Sequence, residues 1–543
     1  MELSPSAHAD PFCREHLPPP EQWPELLFDL PELRYPDRLN CAVALLEDTI
    51  ARFGADRPCL RTPGGETWSY GELRTRANQV ARVLTEDLGV VPGNRVLLRG
   101  PNNPWLVACW FGVLRAGAVA VTTMPLLRAG ELRTLAEISR PRTSLCDHRF
   151  LEDLRAADLP GLGYGADSPD DLLARALAKP PDFTPVRTAA DDVALLAFTS
   201  GTTGRPKATL HFHRDVLANS DTFARHVLKP VPEDVFTGTP PLGFTFGLGG
   251  LVVFPLHVGA STLLVERATP PELADLVVAH GVSVLFTAPT AYRAILAGGH
   301  ADRLRGLRRC VSAGEALPSA VWRDFHEHTG LRIIEGIGAT ELLHIFISAA
   351  DDDIRPGATG RPVPGFRAAV LDEDGHELPD GEVGRLAVRG PTGCRYLDDE
   401  RQLSYVQHGW NLTGDAYLRD ADGYYWYQAR TDDMIISSGY NIAGPEVENA
   451  LLTHPDVLEC GVVGAPDEER GMVVHAYVVL AEGVTADAAK ARELQEFTKA
   501  AIAPYKYPRR VVFLDGLPRT TTGKLQRFRL RELAARASAT MET

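Results

Sequence analysis

Leu195 to Lys207 reads LLAFTSGTTGRPK, and the rest of the chain is organised around it. The apolar run Val193 to Phe198 has the length and composition of a buried strand. It empties into Thr199, Ser200, Gly201, Thr202, Thr203 and Gly204, then into Arg205 and Lys207 around Pro206. Glycines let backbone N–H groups approach an anion, hydroxyls add donors, and the two cations add charge. A loop built this way suits the phosphates of a nucleotide. It is not the GxxxxGK loop of the NTPases, because GTTGRPK has a different spacing. The same residues also fit an ordinary Gly/Thr turn after a core strand, and composition alone leaves both readings open.

The whole string narrows the choice. TSGTTGRPK resembles the phosphate-binding signature of the adenylate-forming superfamily, which includes acyl-CoA synthetases, aryl-CoA ligases, luciferases and peptide-synthetase adenylation domains. The resemblance implies ATP as substrate, with Thr199 to Gly204 and Lys207 around its phosphates.

The gross numbers agree with a large enzyme. A chain of 543 residues, 44% hydrophobic, exceeds one ordinary domain. Its net charge of −15 argues against a nucleic-acid groove. The cysteines form no CxxC pair, which argues against a zinc site or disulfide framework and fits a reducing cytoplasm. Met1 to Pro20 is polar and proline-rich, without the apolar core of a secretory signal. Trp105 to Thr123 contains Arg115 and two glycines, so it reads as a buried helix and strand rather than a membrane span.

In chain order, prolines predict an extended surface arm up to about residue 39. Asn40 caps a helix with Val43, Leu46, Ile50 and Phe53 on its apolar face, and Ser69 with Glu72 forms a capping box for a second helix. Apolar β-like runs then alternate with helical ones: a helix at 271–280, and strands at 282–286, 309–312 and 332–335. This predicts an α/β fold: parallel sheets covered by helices in a large N-terminal domain. After about Asp353, turn signals such as DEDG and LPDGEVG alternate with short strands and predict a β-barrel-like subdomain. A small α+β C-terminal domain follows. The expected division is 1–431 for the adenylation domain and 432–543 for a mobile domain.

Five further motifs carry chemistry. GIGATE places Gly336, Ile337 and Gly338 before Thr340 and Glu341, a hydroxyl and a carboxylate suited to phosphate and Mg2+. On residues alone it could equally be a helix cap; it resembles the superfamily's second nucleotide motif, which implies that Thr340 touches phosphate and Glu341 binds the metal. SAGEALP alone reads as a helix start; the resemblance lays Gly314, Glu315 and Ala316 against adenine. An Asp after Gly is usually a turn residue; the resemblance makes Asp415 and Arg430 the ribose contacts. PRTTTGK ends in Lys524, by resemblance the mobile cation that stabilises charge as a carboxylate attacks the α-phosphate. In RTDDMIISSGYNIAGPEVE the resemblance puts the hinge at Asp432 and a CoA channel beside Ser437, Ser438 and Gly439. Two departures, Ile436 where many relatives carry Lys and Ala429 where they carry Gly, mark a subgroup.

PLGFTFGLGG brings Phe244 and Phe246, with Thr245 and Gly247, to the expected acyl pocket, suited to an aryl ring. FxF in a glycine-rich run also packs ordinary cores. Ala288, Tyr292, Gly338 and His344 are further wall candidates. In benzoate-type ligases a TE-x-LHIF string sets that histidine by the aryl carboxylate. With DDMIISSGYNIAGPEVE and the opening LPPPEQWPELLFDLPEL, the chain resembles the benzoate–CoA ligase group, most of all its 2-aminobenzoate members. The expected reaction joins a small aromatic carboxylic acid to CoA through an acyl adenylate. Loading of a carrier protein's phosphopantetheine stays an alternative, as does a non-catalytic nucleotide-binding relative. No nucleic-acid or membrane partner is expected, and either a monomer or a homodimer fits.

Overall fold

The computed structural model describes residues 3–199, 205–431, 433–437, 440–467, 470–520 and 523–541. Two sheets form the large lobe. The first runs Leu162–Tyr164, Thr143–Asp147, Arg95–Arg99, Val119–Thr123, Val193–Thr199, Lys207–Phe212. All its neighbours are parallel except the last pair, where Lys207–Phe212 returns antiparallel beside Val193–Thr199. The second sheet has nine strands, with a parallel centre that includes Val284–Thr287, Arg309–Ala313 and Ile333–Gly338. Its central strands are buried almost throughout, as sheets covered on both faces require. One apolar cluster spans both sheets and includes Leu98, Phe111, Leu195, Phe254, Phe286 and Phe346.

Local signals behave as expected. Asn40 accepts the N–H of Ala42. The Ser69 hydroxyl accepts from the Glu72 N–H at 3.1 Å, and the Glu72 carboxylate accepts from the Ser69 N–H at 2.7 Å. The span from Trp105 is a buried helix, Pro104–Arg115, followed by the strand Val119–Thr123. Among the described residues no helix is long and apolar enough to cross a membrane. The N-terminal arm is extended with three short helical turns, pinned by contacts such as Arg14 to Asp191.

Two smaller sheets follow. Five antiparallel strands between Arg367 and Arg430 make the turn-rich subdomain. Strands from Ile435 to Phe513 make the sheet of the C-terminal lobe, backed by the helices Gly444–Leu451 and Ala488–Ala501. The strand forecast at 332–335 runs on to Gly338, because Gly336 and Gly338 pair with Ile345–Ser348 rather than opening a turn. A Cβ on Gly336 would lie 2.6 Å from Ile345 Cγ2, and one on Gly338 would lie 2.7 Å from the His344 carbonyl oxygen. These glycines therefore admit a neighbouring strand, a role the motif alone does not reveal.

Ser69→Ala removes one half of the capping box and should cost about 1 kcal/mol. A thermal melt of the variant is expected to fall by about 1–2 °C for a chain of this size.

Candidate functional site

The nucleotide motifs gather at the carboxyl ends of the parallel strands, where open α/β sheets bind ligands. Thr199 ends its strand opposite Lys207. Ser200, Gly201, Thr202, Thr203 and Gly204 lie outside the described residues, so the cradle is seen from its two ends. Lys207 Nζ donates to the Tyr396 hydroxyl at 2.6 Å, and that hydroxyl donates to Glu341 Oε1 at 2.5 Å. Lys207 Nζ also lies 3.5 Å from Glu341 Oε1 and 4.5 Å from the Tyr396 ring centroid. A cation, a phenol and a carboxylate thus share one corner of the site.

Tyr396 was not singled out by sequence. It sits in GCRYLDDE, which matches none of the nucleotide motifs, and only the fold brings it between Lys207 and Glu341. Thr340 is fixed through its carbonyl, which accepts from His211 Nε2 at 2.8 Å. Burial and the nearby Arg395 push the His211 pKa down to about 3, so this ring is neutral.

Asp415 and Arg430 are register partners on adjacent strands, with Arg430 Nη1 3.2 Å from Asp415 Oδ1. The same nitrogen donates to the Thr413 carbonyl at 3.0 Å. Gly414 takes φ +77°, and a Cβ there would meet Arg430 Nη2 at 2.7 Å. That glycine is what lets the guanidinium lie across the strand.

The Lys524 loop is seated on the expected adenine motif. Gly314 takes φ +96°, and Lys524 Cε comes within 3.8 Å of where its Cβ would be. The Leu525 N–H donates to Glu315 Oε1 at 3.1 Å. Gly314 and Ala316 are exposed. Two motifs 210 residues apart in the chain therefore meet.

Phe246 and His344 also come together, with ring centroids 5.6 Å apart. Phe223, Phe254 and Phe286 complete an aromatic cage around the imidazole at 5.5, 4.6 and 6.4 Å. Among the described residues neither His344 ring nitrogen has a hydrogen-bond partner. Burial pushes its pKa down to about 3, which the Phe246 backbone only partly offsets. Gly249 and Gly250 make room for this cage: their Cβ atoms would lie 2.4 Å from His344 Cδ2 and 2.6 Å from Phe286 Cδ1. Phe244 and Thr245 stand half-buried at the start of the short helix Thr245–Leu248, and Gly247 packs on the Pro241 carbonyl. Ala288 precedes the helix Pro289–Ala297 and is half-buried.

Tyr292 is a correction. It was expected on the pocket wall, but its side chain is fully buried in a different cluster, edge-on to Phe325, and its hydroxyl donates to the Val311 carbonyl. It is a core residue because it lies on the inner face of its helix. Ser437 is buried in a C-terminal hairpin, whereas Asp432, Ser438 and Gly439 lie outside the described residues. Ile436 is 55% exposed. Glu335, also unforeseen, accepts the Leu317 N–H at 2.8 Å, and burial pushes its carboxyl up to about 8.

The sequence pattern of the AMP-binding enzymes matches residues 46–395, and that of the AMP-binding enzyme C-terminal domain matches residues 446–524. The chain belongs to the AMP-binding enzyme family. Within it, the chain is 35% identical to a benzoate–CoA ligase of Thauera aromatica, over 92% of this chain and 97% of that one. It is 35% identical to a 4-hydroxybenzoate–CoA/benzoate–CoA ligase of Rhodopseudomonas palustris, over 91% and 94%. Among solved structures, an anthranilate CoA ligase in complex with anthranoyl-AMP superposes with TM-score 0.88 at 34% identity, covering 94% of this chain and all of that one. A benzoate CoA ligase from Burkholderia xenovorans superposes with TM-score 0.83 at 33% identity, covering 91% and 100%. The group recognised from TSGTTGRPK and its companion motifs is therefore the right one.

The buried imidazoles set an acid limit. His211, His213 and His344 are each held down to about 3, against about 6.5 in the unfolded chain. Below pH 6.5 the unfolded chain takes up protons that these folded sites refuse, so their contribution is lost as pH falls. Glu335 acts oppositely: above pH 4.5 and up to about 8 the folded state keeps a proton that the unfolded chain gives up, so stability falls as pH rises there. Denaturant midpoints should therefore peak near pH 6.5 and drop toward pH 5. Glu335→Gln should flatten the alkaline side of that profile.

Proposed function

We propose that the chain is an ATP-dependent, AMP-forming aryl-CoA ligase acting on benzoate-like acids. The observation that carries this reading is the seating of the Lys524 loop on Gly314 and Glu315, taken with the separate Lys207–Tyr396–Glu341 corner. A cation delivered to an adenine motif suits attack at a nucleotide's α-phosphate. The carboxylate oxygen bonds to the α-phosphorus, the bond to the β-phosphate oxygen breaks, and diphosphate leaves. Lys524, Lys207 and the donors of the 199–204 loop stabilise the growing charge. The CoA sulfur then attacks the acyl carbon, the bond to AMP breaks, and aryl-CoA forms. The two steps need different groups at one centre, which a C-terminal lobe turning about Asp432 supplies, bringing Ser437 to Gly439 in place of Lys524.

Glu341 fits Mg2+: one carboxylate oxygen is engaged by the phenol of Tyr396, and a single acidic side chain beside phosphates is how proteins hold this ion. When bound, Mg2+ offsets phosphate charge. The role of the chain's own residues is to keep Glu341 oriented through Tyr396 and Lys207.

Phe246, half-buried beside a neutral His344, brings an aromatic face that suits a flat ring better than an extended chain. The relatives named for benzoate, 4-hydroxybenzoate and anthranilate support the same class. Within it, 2-aminobenzoate is the first candidate, on the ATELLHIF and DDMIISSGYNIAGPEVE strings and on the anthranilate ligase likeness. CoA is the acceptor in the names of these relatives, which favours it over a carrier protein.

Two measurements test the reading. Lys524→Ala should slow diphosphate release by about 10²–10³-fold, while thioester formation from supplied acyl adenylate and CoA stays near the wild-type rate; equal loss of both would refute its assigned role. ATP–diphosphate exchange across benzoate, 2-aminobenzoate, hydroxybenzoates, cinnamates and medium-chain acids should favour the benzoates. Phe246→Ala should narrow that preference, and an unchanged ranking would make Phe246 a packing residue.

A further inference from the structure

Arg293 lies on the helix Pro289–Ala297 of the large lobe, and its Nη2 donates to Glu459 Oε1 at 2.8 Å. Glu459 belongs to the C-terminal lobe, on the strand Val457–Asp467. Its other oxygen, Oε2, accepts from Arg519 Nη2 at 2.8 Å. Arg519 Nη1 donates in turn to the Gly523 carbonyl at 2.7 Å, directly before Lys524. The loop is also closed on itself: the Thr520 N–H donates to the Lys524 carbonyl at 2.8 Å, and the Lys524 N–H to Thr520 Oγ1 at 3.1 Å. Beyond Lys524, Leu525 is held by Glu315. The lysine is thus gripped on both sides, by Glu315 directly and by Arg293 through Glu459 and Arg519.

We propose that Arg293, Glu459 and Arg519 form a latch between the lobes that positions Lys524 for acyl adenylation and opens before thiol attack. The inference rests on the two-step reading above and adds how its first state is held. Glu459 and Arg519 sit on the same lobe, so their pair and the loop it shapes travel together. Of the three, Arg293 is the one on the large lobe, and its bond to Glu459 breaks when the lobes part, together with that of Glu315 to Leu525. The three side chains are 23%, 25% and 25% exposed, so the contact is partly shielded from water. A charge-assisted bond in that setting favours one arrangement without locking it, which a reversible step requires.

The test separates the half-reactions. Arg293→Ala should lower single-turnover diphosphate release with ATP and an aryl acid by about tenfold, a modest bias on a two-state equilibrium. Thioester formation from supplied acyl adenylate and CoA should be unchanged or faster. Arg293→Lys should recover most of the loss. Arg293→Ala combined with Glu459→Ala should be no worse than Glu459→Ala alone. Limited proteolysis of ligand-free protein near residues 431–440 should quicken in Arg293→Ala. Equal slowing of both half-reactions, additive losses, or unaltered adenylation with unaltered proteolysis would overturn the latch. Wild-type protein inactive toward every aryl acid would instead overturn the ligase reading, and the proteolysis comparison would still decide the latch.

Discussion

The Lys207–Tyr396–Glu341 corner depends on a buried ion pair that is not part of it. Arg395 and Asp215 are both fully buried, and Arg395 Nη2 bonds Asp215 Oδ2 beneath the sheet ends. Burial pushes the Asp215 carboxyl up and the Arg395 guanidinium down, and each charge partly offsets that effect on the other. Arg395 also donates to the Leu210 carbonyl and lies 4.0 Å over the Phe212 ring. The segment around it runs beside the strand Lys207–Phe212, with Leu210 N–H bonded to the Arg395 carbonyl and Leu397 N–H to that of Ala208. Tyr396 is held between those two bonds. Removing one partner of so deep a pair costs about 3–5 kcal/mol, because the other charge is stranded. The pair thereby turns a tyrosine in an unremarkable segment into the bridge between Lys207 and Glu341.

This explains what was legible in the sequence and what was not. The Thr199–Lys207 string, the positions of Asp415 and Arg430 and the Lys524 loop are legible because they sit in strings that resemble family motifs, not because their residue types alone state their chemistry. The capping box at Ser69 and the strands at 193–199 and 309–313 follow from local propensity and apolar runs. Tyr396, Glu335, Arg293 and Glu459 are single residues whose roles come only from distant partners, between 18 and 189 positions away in the chain. Tyr292 misled for the same reason: its helix begins at the pocket, but a helix turns its side chains, and that one faces the core. Gly336 and Gly338 looked like ligand-facing glycines and also serve the approach of a neighbouring strand. A glycine says that something comes close without saying what.

The division of charge between the lobes has its own logic. Lys207, Glu341, Asp415 and Arg430 all belong to the large lobe and are tied to backbone or to each other. Lys524 belongs to the small lobe and is fixed mainly through its loop's backbone, by Glu315 and by Arg519. Holding the loop rather than the ammonium leaves the charged end free for a ligand while its base is placed to within a bond length. On the proposed mechanism, an ammonium fixed in the large lobe would still occupy the centre after adenylation, where the thiol must enter.

The aromatic cage completes the argument about the acid. His344 is neutral, with its pKa near 3, so it brings no net charge to a bound carboxylate. It offers a donor and an acceptor, one on each ring nitrogen. An imidazole buried among four phenylalanines, approached only by the Phe246 backbone, costs free energy, as any poorly satisfied buried polar group does. A benzoate whose carboxylate or ring substituent reaches that nitrogen relieves the cost on binding, whereas a purely apolar chain leaves it standing. Selectivity of this kind comes from the penalty on the wrong ligand as much as from contact with the right one. A side chain on Gly249 would displace that ring, since its Cβ would lie 2.4 Å from His344 Cδ2.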